Sequence, residues 1–427
     1  MTFFNNILKN SFAKSVLLVT GGTAFAQLLN IVLSPIITRI YLPEEYGVVT
    51  LYTSILGFLT IISSLKYEHG IAIAESDKKA INVLVLSIII LFIFVGIVTL
   101  ILVLTERLIR REFKFEYSYL IPIGIFATGL YKIFMQWSFR KKSFKSISKT
   151  KVTQSIFSNA TKIGLGLLNF GPIGLILGNI VGGSSGVRTL SLPLTKYNRG
   201  IFKEVNKKRI MWSAKRYIKF PVFLAPSQLL NAAGVQLPIF FLTFMYGNQL
   251  VGFYGLAYTI VSLPMFLIGN SVGDVFYGEA ASIGKSNPQK LMNLSRKLFR
   301  KLSFLGIFPL LILVLFGPEL FSIAFGPNWY EAGAYARILA VLVFARLIFM
   351  PISRVFEVYE KQKEVLALDC IRIVLVLIVF GISMEMSLDS YWTVALYSIV
   401  MSLIYFLTFA FAQKTIRDEI KKTNYLL

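Results

Sequence analysis

Long apolar runs alternate with short polar segments along the whole chain. A run of about 20 apolar residues is long enough to cross the hydrocarbon core of a bilayer as a helix. A helix is predicted for each run because a backbone amide without a hydrogen-bond partner is costly in lipid. Twelve such runs are present, at residues 15–40, 46–65, 80–104, 117–137, 152–169, 172–192, 220–245, 250–273, 302–325, 332–352, 366–384 and 390–412.

The longest polar interruption lies in the middle of the chain, from Arg188 to Lys219. It holds ten Lys or Arg residues and a single acid, Glu204. We therefore predict an all-α polytopic membrane protein with about twelve transmembrane helices in two six-helix lobes. The predicted parts are an N-terminal lobe at 1–192, a basic cytoplasmic connector at 193–219, a C-terminal lobe at 220–412 and a cytoplasmic tail at 413–427.

The distribution of Lys and Arg predicts the orientation of the helices, because basic loops stay on the cytoplasmic side of a membrane. With a cytoplasmic N-terminus, 34 of the 44 Lys and Arg residues fall in cytoplasmic segments. The outer segment 105–116 is the basic exception, and its three Glu residues partly balance its charge. Both termini are therefore predicted to be cytoplasmic.

Composition agrees with this interpretation and excludes other classes of protein. Hydrophobic residues make up 56% of the chain and the mean hydropathy is +0.69, more apolar surface than a soluble fold can bury. The net charge of +23 does not indicate nucleic-acid binding, because the basic residues lie between apolar runs. A single cysteine, Cys370, and a single histidine, His69, exclude a disulfide framework and a His/Cys metal cluster within one chain. No cofactor is predicted.

Two stretches of the chain are similar to each other, Ala24–Leu56 and Ala225–Leu263. Chance similarity between apolar segments is the alternative explanation. Six helices separate the two copies, so the two lobes would have the same orientation and be related by a pseudo-twofold axis along the membrane normal. The shared features are a Gln-Leu-Leu-Asn sequence at Gln27–Asn30 and Gln228–Asn231, a later proline at Pro35 and Pro238, and a Tyr-Gly pair at Tyr46-Gly47 and Tyr254-Gly255.

The first outer loop and the end of the second helix carry two recognisable motifs. Leu42–Gly47 reads Leu-Pro-Glu-Glu-Tyr-Gly, and Lys66-Tyr67-Glu68 follows the second helix. With the twelve-span topology and the basic connector, these motifs resemble the multidrug/oligosaccharidyl-lipid/polysaccharide exporter superfamily. The resemblance is to its polysaccharide-transport branch, the O-antigen and capsule repeat-unit flippases, whose members often have Arg-Tyr-Glu at the second motif.

This resemblance implies a flippase rather than an enzyme. Its expected cargo is an undecaprenyl-diphosphate-linked oligosaccharide, which alternating access through a cationic central cavity would move from the inner to the outer leaflet of the bacterial cytoplasmic membrane. The expected partners are this cargo, membrane lipids and the polysaccharide polymerase and chain-length machinery of surface polysaccharide synthesis, with no nucleic acid. Two alternatives are a drug/cation antiporter of the same superfamily and an integral-membrane polysaccharide polymerase.

Basic residues in or next to the spans are the candidates for binding a diphosphate. A charge at the bilayer centre costs about 2.5 kcal/mol or more unless it faces a cavity or a partner. Snorkelling to the interface or local ion pairing, as of Arg39 with Glu44 or Glu45, is the alternative for each of them. The candidates are Lys162, which is the deepest, Lys66, Arg39, Arg346, Arg372 and Lys132.

Amides and carboxylates supply the remaining candidates. The amides of Gln27, Asn30, Gln228 and Asn231 are candidates for binding the glycan, with hydrogen bonding between helices as the alternative. Coupling to an ion gradient needs a carboxylate that changes its occupancy, and Glu68 and Asp274 are the candidates. No Walker-type nucleotide-binding sequence is present to indicate direct use of ATP.

Overall fold

The computed structural model describes residues 11–113, 115–195, 199–283 and 287–426. Within these residues the regular structure is helical and no strand is found, so the predicted all-α fold is confirmed. The predicted cytoplasmic N-terminus (1–10) and one basic residue of the connector, Lys196, lie outside the described residues.

The first half of the chain forms nine helices among the described residues. Gly171, with a φ of 58°, makes the tight turn between the helix that ends at Leu167 and the helix that begins at Pro172. The helices are α1 (Ser11–Ile40), α2 (Pro43–Ile62), α3 (His69–Ile73), α4 (Asp77–Phe113), α5 (Ile121–Arg140), α6 (Phe144–Leu167), α7 (Pro172–Ser184), α8 (Val187–Thr195) and α9 (Lys207–Arg216).

The second half begins with a π-helical turn, Phe220–Leu224, which runs directly into a long helix. Eight helices follow among the described residues. They are α10 (Ala225–Tyr246), α11 (Asn248–Val261), α12 (Asn270–Ile283), α13 (Pro288–Phe325), α14 (Tyr330–Phe349), α15 (Val355–Val358), α16 (Gln362–Glu385) and α17 (Ser390–Leu426).

Nine helical segments of the described chain are long and apolar enough to cross a membrane. Three predicted spans, at 152–169, 172–192 and 250–273, are not among them. The first lies in α6, whose first half is rich in Lys, Ser and Thr. The other two are divided into shorter pieces, since α7 has 13 residues and α11 has 14. A tilted or broken helix can still cross a bilayer within a bundle, but length and hydropathy alone do not identify it.

The described chain divides into two compact units, the first ending at Gln236 and the second beginning at Leu237. This division falls inside α10, two residues before Pro238, whereas the C-terminal lobe was predicted to begin at residue 220. The early part of α10 packs with the first unit, because a Cβ at Gly57 of α2 would lie only 2.7 Å from Nε2 of Gln236. The connector helix α9 therefore belongs to the first unit.

Interhelical hydrogen bonds join α1 and α6 within the first unit. Ser155 Oγ lies 3.0 Å from the Ala26 carbonyl oxygen and 2.6 Å from Asn30 Oδ1, and its one hydroxyl proton is shared between these two acceptors. Asn159 Nδ2 donates to the same Asn30 oxygen at 2.7 Å. Ser155 and Asn159 are both buried. These bonds satisfy polar side chains that have no access to water and fix α1 against α6.

Two glycines allow a close approach of α13 and α14 in the second unit. Gly333 lies against the backbone of Gly317 and Pro318, and a Cβ added at either glycine would overlap the backbone of the opposite helix. Small residues at such crossings allow van der Waals contact between helix backbones, which is the main attraction between helices in a membrane.

We predict that Gly333→Ala destabilises the protein by about 1–3 kcal/mol, because the added methyl group meets backbone that cannot rotate away. The measurement is thermal unfolding of the purified protein in detergent. Gly96→Ala is the matched control, since Gly96 lies on α4 with no atom within 4 Å of an added Cβ. Equal unfolding temperatures for the two variants would contradict the close approach of α13 and α14.

Candidate functional site

A buried group of charged side chains lies where α2 ends. Leu65 and Lys66 have φ angles of 49° and 62°, a left-handed conformation that is unusual for residues other than glycine. The chain reverses there, and Lys66 and Glu68 are only 5% and 2% exposed. Backbone strain of this kind is concentrated at functional sites. We name the group of Thr60, Ser64, Lys66, Glu68, His69 and Lys132 the Lys66–Lys132 cluster.

Hydrogen bonds fix two side chains of this cluster. Ser64 Oγ donates to Glu68 Oε2 at 2.5 Å. Lys132, on α5, donates from Nζ to the carbonyl oxygen of Thr60 at 3.2 Å and to its hydroxyl oxygen at 3.0 Å. The Lys132 ammonium is thus held by neutral oxygens. With two ammonium groups and one carboxylate, the cluster has a surplus of positive charge.

Burial and neighbouring charges change the acidity of two members of the cluster. Burial lowers the pKa of Lys66, and the Glu68 carboxylate partly opposes this change. Burial also lowers the pKa of His69; Glu68 opposes the change, and the positive charges of Lys66 and Lys132 reinforce it. The His69 ring lies 6.1 Å, centroid to centroid, from the ring of Phe220. Both effects, burial and the two lysine charges, favour the neutral form of His69.

Lys162 lies apart from this cluster, on α6. Its carbonyl oxygen accepts a 2.7 Å hydrogen bond from the hydroxyl of Tyr41, which stands between α1 and α2. Its side-chain stem packs against Gly178 of α7. Lys162 is five residues before the end of α6 at Leu167, about 7.5 Å of helix rise. Within the described residues its ammonium makes no ion pair or hydrogen bond.

Arg39 is exposed in the last turn of α1, near the same turn as Tyr41. Glu45, one of its two predicted partners, accepts a hydrogen bond from the backbone amide of Leu42 at 2.8 Å and so caps the start of α2.

The two predicted arginines of the second unit lie among tyrosines. Arg346 of α14 donates to the hydroxyl of Tyr258 at 2.9 Å. Arg372 of α16 pairs with Asp369 at 3.0 Å and lies over the ring of Tyr405, 5.6 Å from its centroid. The Nε atoms of both arginines are buried and have no acceptor within the described part of the chain.

The four predicted amides differ in their contacts. The side-chain oxygen of Asn30 accepts the bonds from Ser155 and Asn159 described above. In the described structure Gln27, Gln228 and Asn231 make no side-chain hydrogen bond, and Asn231 is exposed.

The two candidate coupling carboxylates also differ. Glu68 is buried in the Lys66–Lys132 cluster. The Asp274 side chain is 73% exposed and lies 3.4 Å from Arg354, which is bound more closely by Glu357 at 2.6 Å. Among the described residues no group of three or more His, Cys, Asp or Glu side chains could hold a metal ion.

A model of one known protein family, described as "Polysaccharide biosynthesis protein", matches residues 36–334, more than two thirds of the chain. The chain belongs to this family. The teichuronic acid biosynthesis protein TuaB of Bacillus subtilis (strain 168) is 28% identical over 141 residues, 32% of this chain. The match spans 28% of the length of TuaB.

Solved structures with the same fold include three membrane transporters. An inward-facing multidrug resistance MATE family transporter of the MOP superfamily has a TM-score of 0.75 at 15% identity, covering 92% of this chain and 96% of its own. The lipid II flippase MurJ, inward closed, has a TM-score of 0.68 at 15% identity, covering 95% and 89%. A MOP superfamily transporter from Pyrococcus furiosus Vc1 (DSM3638), reported for the reverse polarity of its binding pocket, has a TM-score of 0.62 at 17% identity, covering 95% of each chain.

These matches confirm the predicted resemblance to the polysaccharide-transport branch of the superfamily and a fold of about twelve helices in two lobes. At this level of identity the solved structures show the fold alone. Family membership identifies a polysaccharide biosynthesis protein, and the fold is that of transporters and a flippase.

Some residues of the Lys66–Lys132 cluster, and the tyrosines that contact Arg346 and Arg372, carry no signal of function in the sequence. Thr60, Ser64, Tyr258 and Tyr405 are hydroxyl residues at the ends or in the interior of apolar runs, where such residues are common. His69 directly follows Lys66-Tyr67-Glu68. That adjacency was the one available indication that it belongs to the site.

We predict that protonation of His69 destabilises the folded protein in acid. Because the folded-state pKa is depressed, the unfolded chain binds a proton first as the pH falls below about 6.5, and stability is lost from there down through the folded-state pKa. The unfolding temperature of the wild type should fall more steeply than that of His69→Gln over this range, measured in detergent. His69 is the chain's only histidine, so parallel curves would show that His69 titrates normally.

Proposed function

We propose that this protein is a flippase that moves undecaprenyl-diphosphate-linked oligosaccharide repeat units from the inner to the outer leaflet of the bacterial cytoplasmic membrane. The units would serve surface polysaccharide synthesis, such as that of O-antigen or capsule. The description of the family, the similarity to a teichuronic acid biosynthesis protein and the fold shared with a lipid II flippase support this proposal.

The observation that carries the proposal is that two ammonium groups, those of Lys132 and Lys162, form no direct ion pair with a carboxylate within the described residues. There Lys132 donates only to the neutral oxygens of Thr60, and the Lys162 ammonium has no hydrogen-bond partner. A positive charge in an apolar region is costly unless an anion approaches it. The diphosphate of a lipid-linked saccharide is such an anion, whereas a cationic drug would be repelled. The sign of these charges therefore favours the flippase over a drug/cation antiporter.

The positions of the lysines suggest an order of events. The Lys66–Lys132 cluster follows α2 at the end that the charge distribution predicts to be cytoplasmic, and Lys162 and Arg39 lie near the opposite end. We propose that the diphosphate meets the cluster first and leaves past Lys162 and Arg39. Gln27, Gln228 and Asn231, whose amides have no protein partner in the described chain, would bind sugar hydroxyls.

Glu68 is the better of the two coupling candidates. Glu68 is buried beside Lys66 and Lys132, so a diphosphate that approaches those lysines would also interact with the Glu68 carboxylate. Asp274, which is largely exposed, lacks such an environment. Arg346 and Arg372 are held by Tyr258 and by Asp369, so we propose for them a supporting role in the second unit.

Deletion and complementation in the native bacterium test the function. Loss of the protein should reduce surface polysaccharide and cause lipid-linked repeat units to accumulate on the cytoplasmic side of the membrane, and the wild-type gene should restore export. Normal surface polysaccharide without such accumulation would overturn the flippase proposal.

Substitutions that remove one ammonium group test the site. Lys132→Gln and Lys162→Gln should each reduce export by about tenfold or more, because a hydrogen bond to a charged group contributes about 1.5–3 kcal/mol. Lys142→Gln is the matched control, since Lys142 is exposed between α5 and α6. Protein levels in the membrane are measured in parallel. Export equal to that of the control in both variants would remove these lysines from the cargo site.

A further inference from the structure

The connector helix α9 is fastened to the start of the membrane helix α4. Asn82 of α4 is fully buried, and its side chain donates to the Glu204 carbonyl at 3.1 Å and accepts from the Asn206 amide at 3.1 Å. Asn206 in turn caps α9, because its side-chain oxygen accepts a hydrogen bond from the amide of Lys208 at 2.8 Å. The side chain of Asn82 thus holds the backbone that leads into α9 and, through Asn206, the first turn of α9.

Further contacts fix the rest of the connector helix. Lys78 pairs with Glu204 at 2.8 Å, and Arg209 binds the same carboxylate. The Lys79 ammonium lies 4.9 Å from the ring centroid of Trp212. The hydroxyl of Tyr67 donates to the carbonyl oxygen of Ala214 at 3.1 Å. The connector is therefore an ordered part of the first unit rather than a free link.

These contacts place α9 beside the start of α4. The residues of α4 that hold the connector, Lys78, Lys79 and Asn82, all lie in the first two turns of the helix, where the long apolar segment begins. Five residues of helix rise only about 7.5 Å. The connector helix is therefore held next to residue 80, where the span in α4 is predicted to start.

The exposed side of α9 combines positive charge with apolar surface, and Trp212 lies at its edge, where its ring also meets Lys79 of α4. Ser213 is buried against the first unit, whereas Met211 and Trp212 are 56% and 43% exposed. Lys207, Lys208 and Lys215 are also exposed and form no ion pair with the described residues. Glu204, the nearest acid in the connector, is already bound by Lys78 and Arg209. Its charge is therefore not available to these lysines.

This combination is typical of a helix that lies in a membrane interface. An interfacial helix inserts its Trp and Met side chains between the headgroups and places its lysines at the phosphates. Trp in particular is enriched at this depth. Negatively charged headgroups on the cytoplasmic leaflet attract such lysines.

We propose that α9 is an interfacial helix that binds the phosphate headgroups of anionic lipids at the membrane surface where α4 begins. Lys207, Lys208 and Lys215 bind the headgroups, and Met211 and Trp212 lie between them. The site is independent of the cargo, so it holds whether or not the protein is a flippase. It gives the first unit a fixed attachment to one membrane surface.

Quenching of Trp212 fluorescence by brominated lipids tests this proposal. The full-length protein is reconstituted into vesicles of phosphatidylcholine with phosphatidylglycerol, with one or the other lipid brominated on its acyl chains. Subtracting the signal of Trp212→Phe isolates Trp212 from the other three tryptophans. We expect Trp212 to be quenched, and more strongly by brominated phosphatidylglycerol than by brominated phosphatidylcholine.

Removal of the lysines should abolish this preference. In the variant Lys207→Gln/Lys208→Gln/Lys215→Gln, the preference of the Trp212 site for phosphatidylglycerol should fall by about tenfold or more. The matched control is Lys142→Gln/Lys145→Gln/Lys149→Gln, which removes the same charge from exposed positions before and on α6 and should keep the preference. A Trp212 that neither lipid quenches, or a preference that survives loss of the three α9 lysines, would overturn the proposal.

Discussion

A polar group in hydrocarbon cannot bond to water, and the rest of this structure depends on that constraint. It makes the backbone helical, because a helix satisfies its own amides and carbonyls. It also governs the hydroxyl side chains inside the spans, which donate back to a carbonyl of the preceding turn. Ser87 bonds to Val83 at 2.9 Å, Thr99 to Val95 at 2.8 Å and Thr105 to Ile101 at 2.7 Å. Such hydroxyls can stand anywhere along an apolar run, which is why they give no signal of function.

The same constraint acts more strongly on charges. In the second unit Arg372 pairs with the Asp369 carboxylate, and Arg346 donates to the hydroxyl of Tyr258. In the described part of the first unit Lys132 donates only to the oxygens of Thr60, and the Lys162 ammonium has no hydrogen-bond partner. Where no group of the protein neutralises a buried positive charge, the binding of an external anion offsets the free-energy cost of burying that charge. Under the proposed function, the incomplete pairing of the first unit and the negative charge of the cargo are two halves of one interaction.

The connector illustrates how a tertiary contact changes the meaning of a sequence pattern. Its nine basic residues predict a cytoplasmic segment, but charge alone does not distinguish a flexible link from a docked element. The distinction is made by Asn82, a fully buried polar residue in the first turns of α4, whose side-chain amide bonds to the backbone at Glu204 and Asn206. A buried amide with unpaired donors would be costly, so Asn82 strongly favours the docked arrangement of the connector.

The sequence by itself determined the class of the protein, because hydropathy and the length of a membrane span depend on composition and not on contacts. It also predicted the helical fold, the resemblance to polysaccharide transporters and the position of Lys66-Tyr67-Glu68. Three of the predicted spans, at 152–169, 172–192 and 250–273, are helical in the structure but are less apolar or more divided than the other nine.

Which charges come together was decided by the tertiary structure alone. Lys132 is 64 residues from Glu68 along the chain, and only the packing of α5 beside the end of α2 brings them into one cluster. Asn30, predicted from its repeat position alone, is bound by Ser155 and Asn159 from α6. The division of the two units within α10 likewise follows from packing, and the Gln236 side chain lies close to Gly57 of α2. Contacts between residues that are distant along the chain leave no periodic pattern in a single sequence. The hydropathy of each apolar run, in contrast, can be read from the sequence directly.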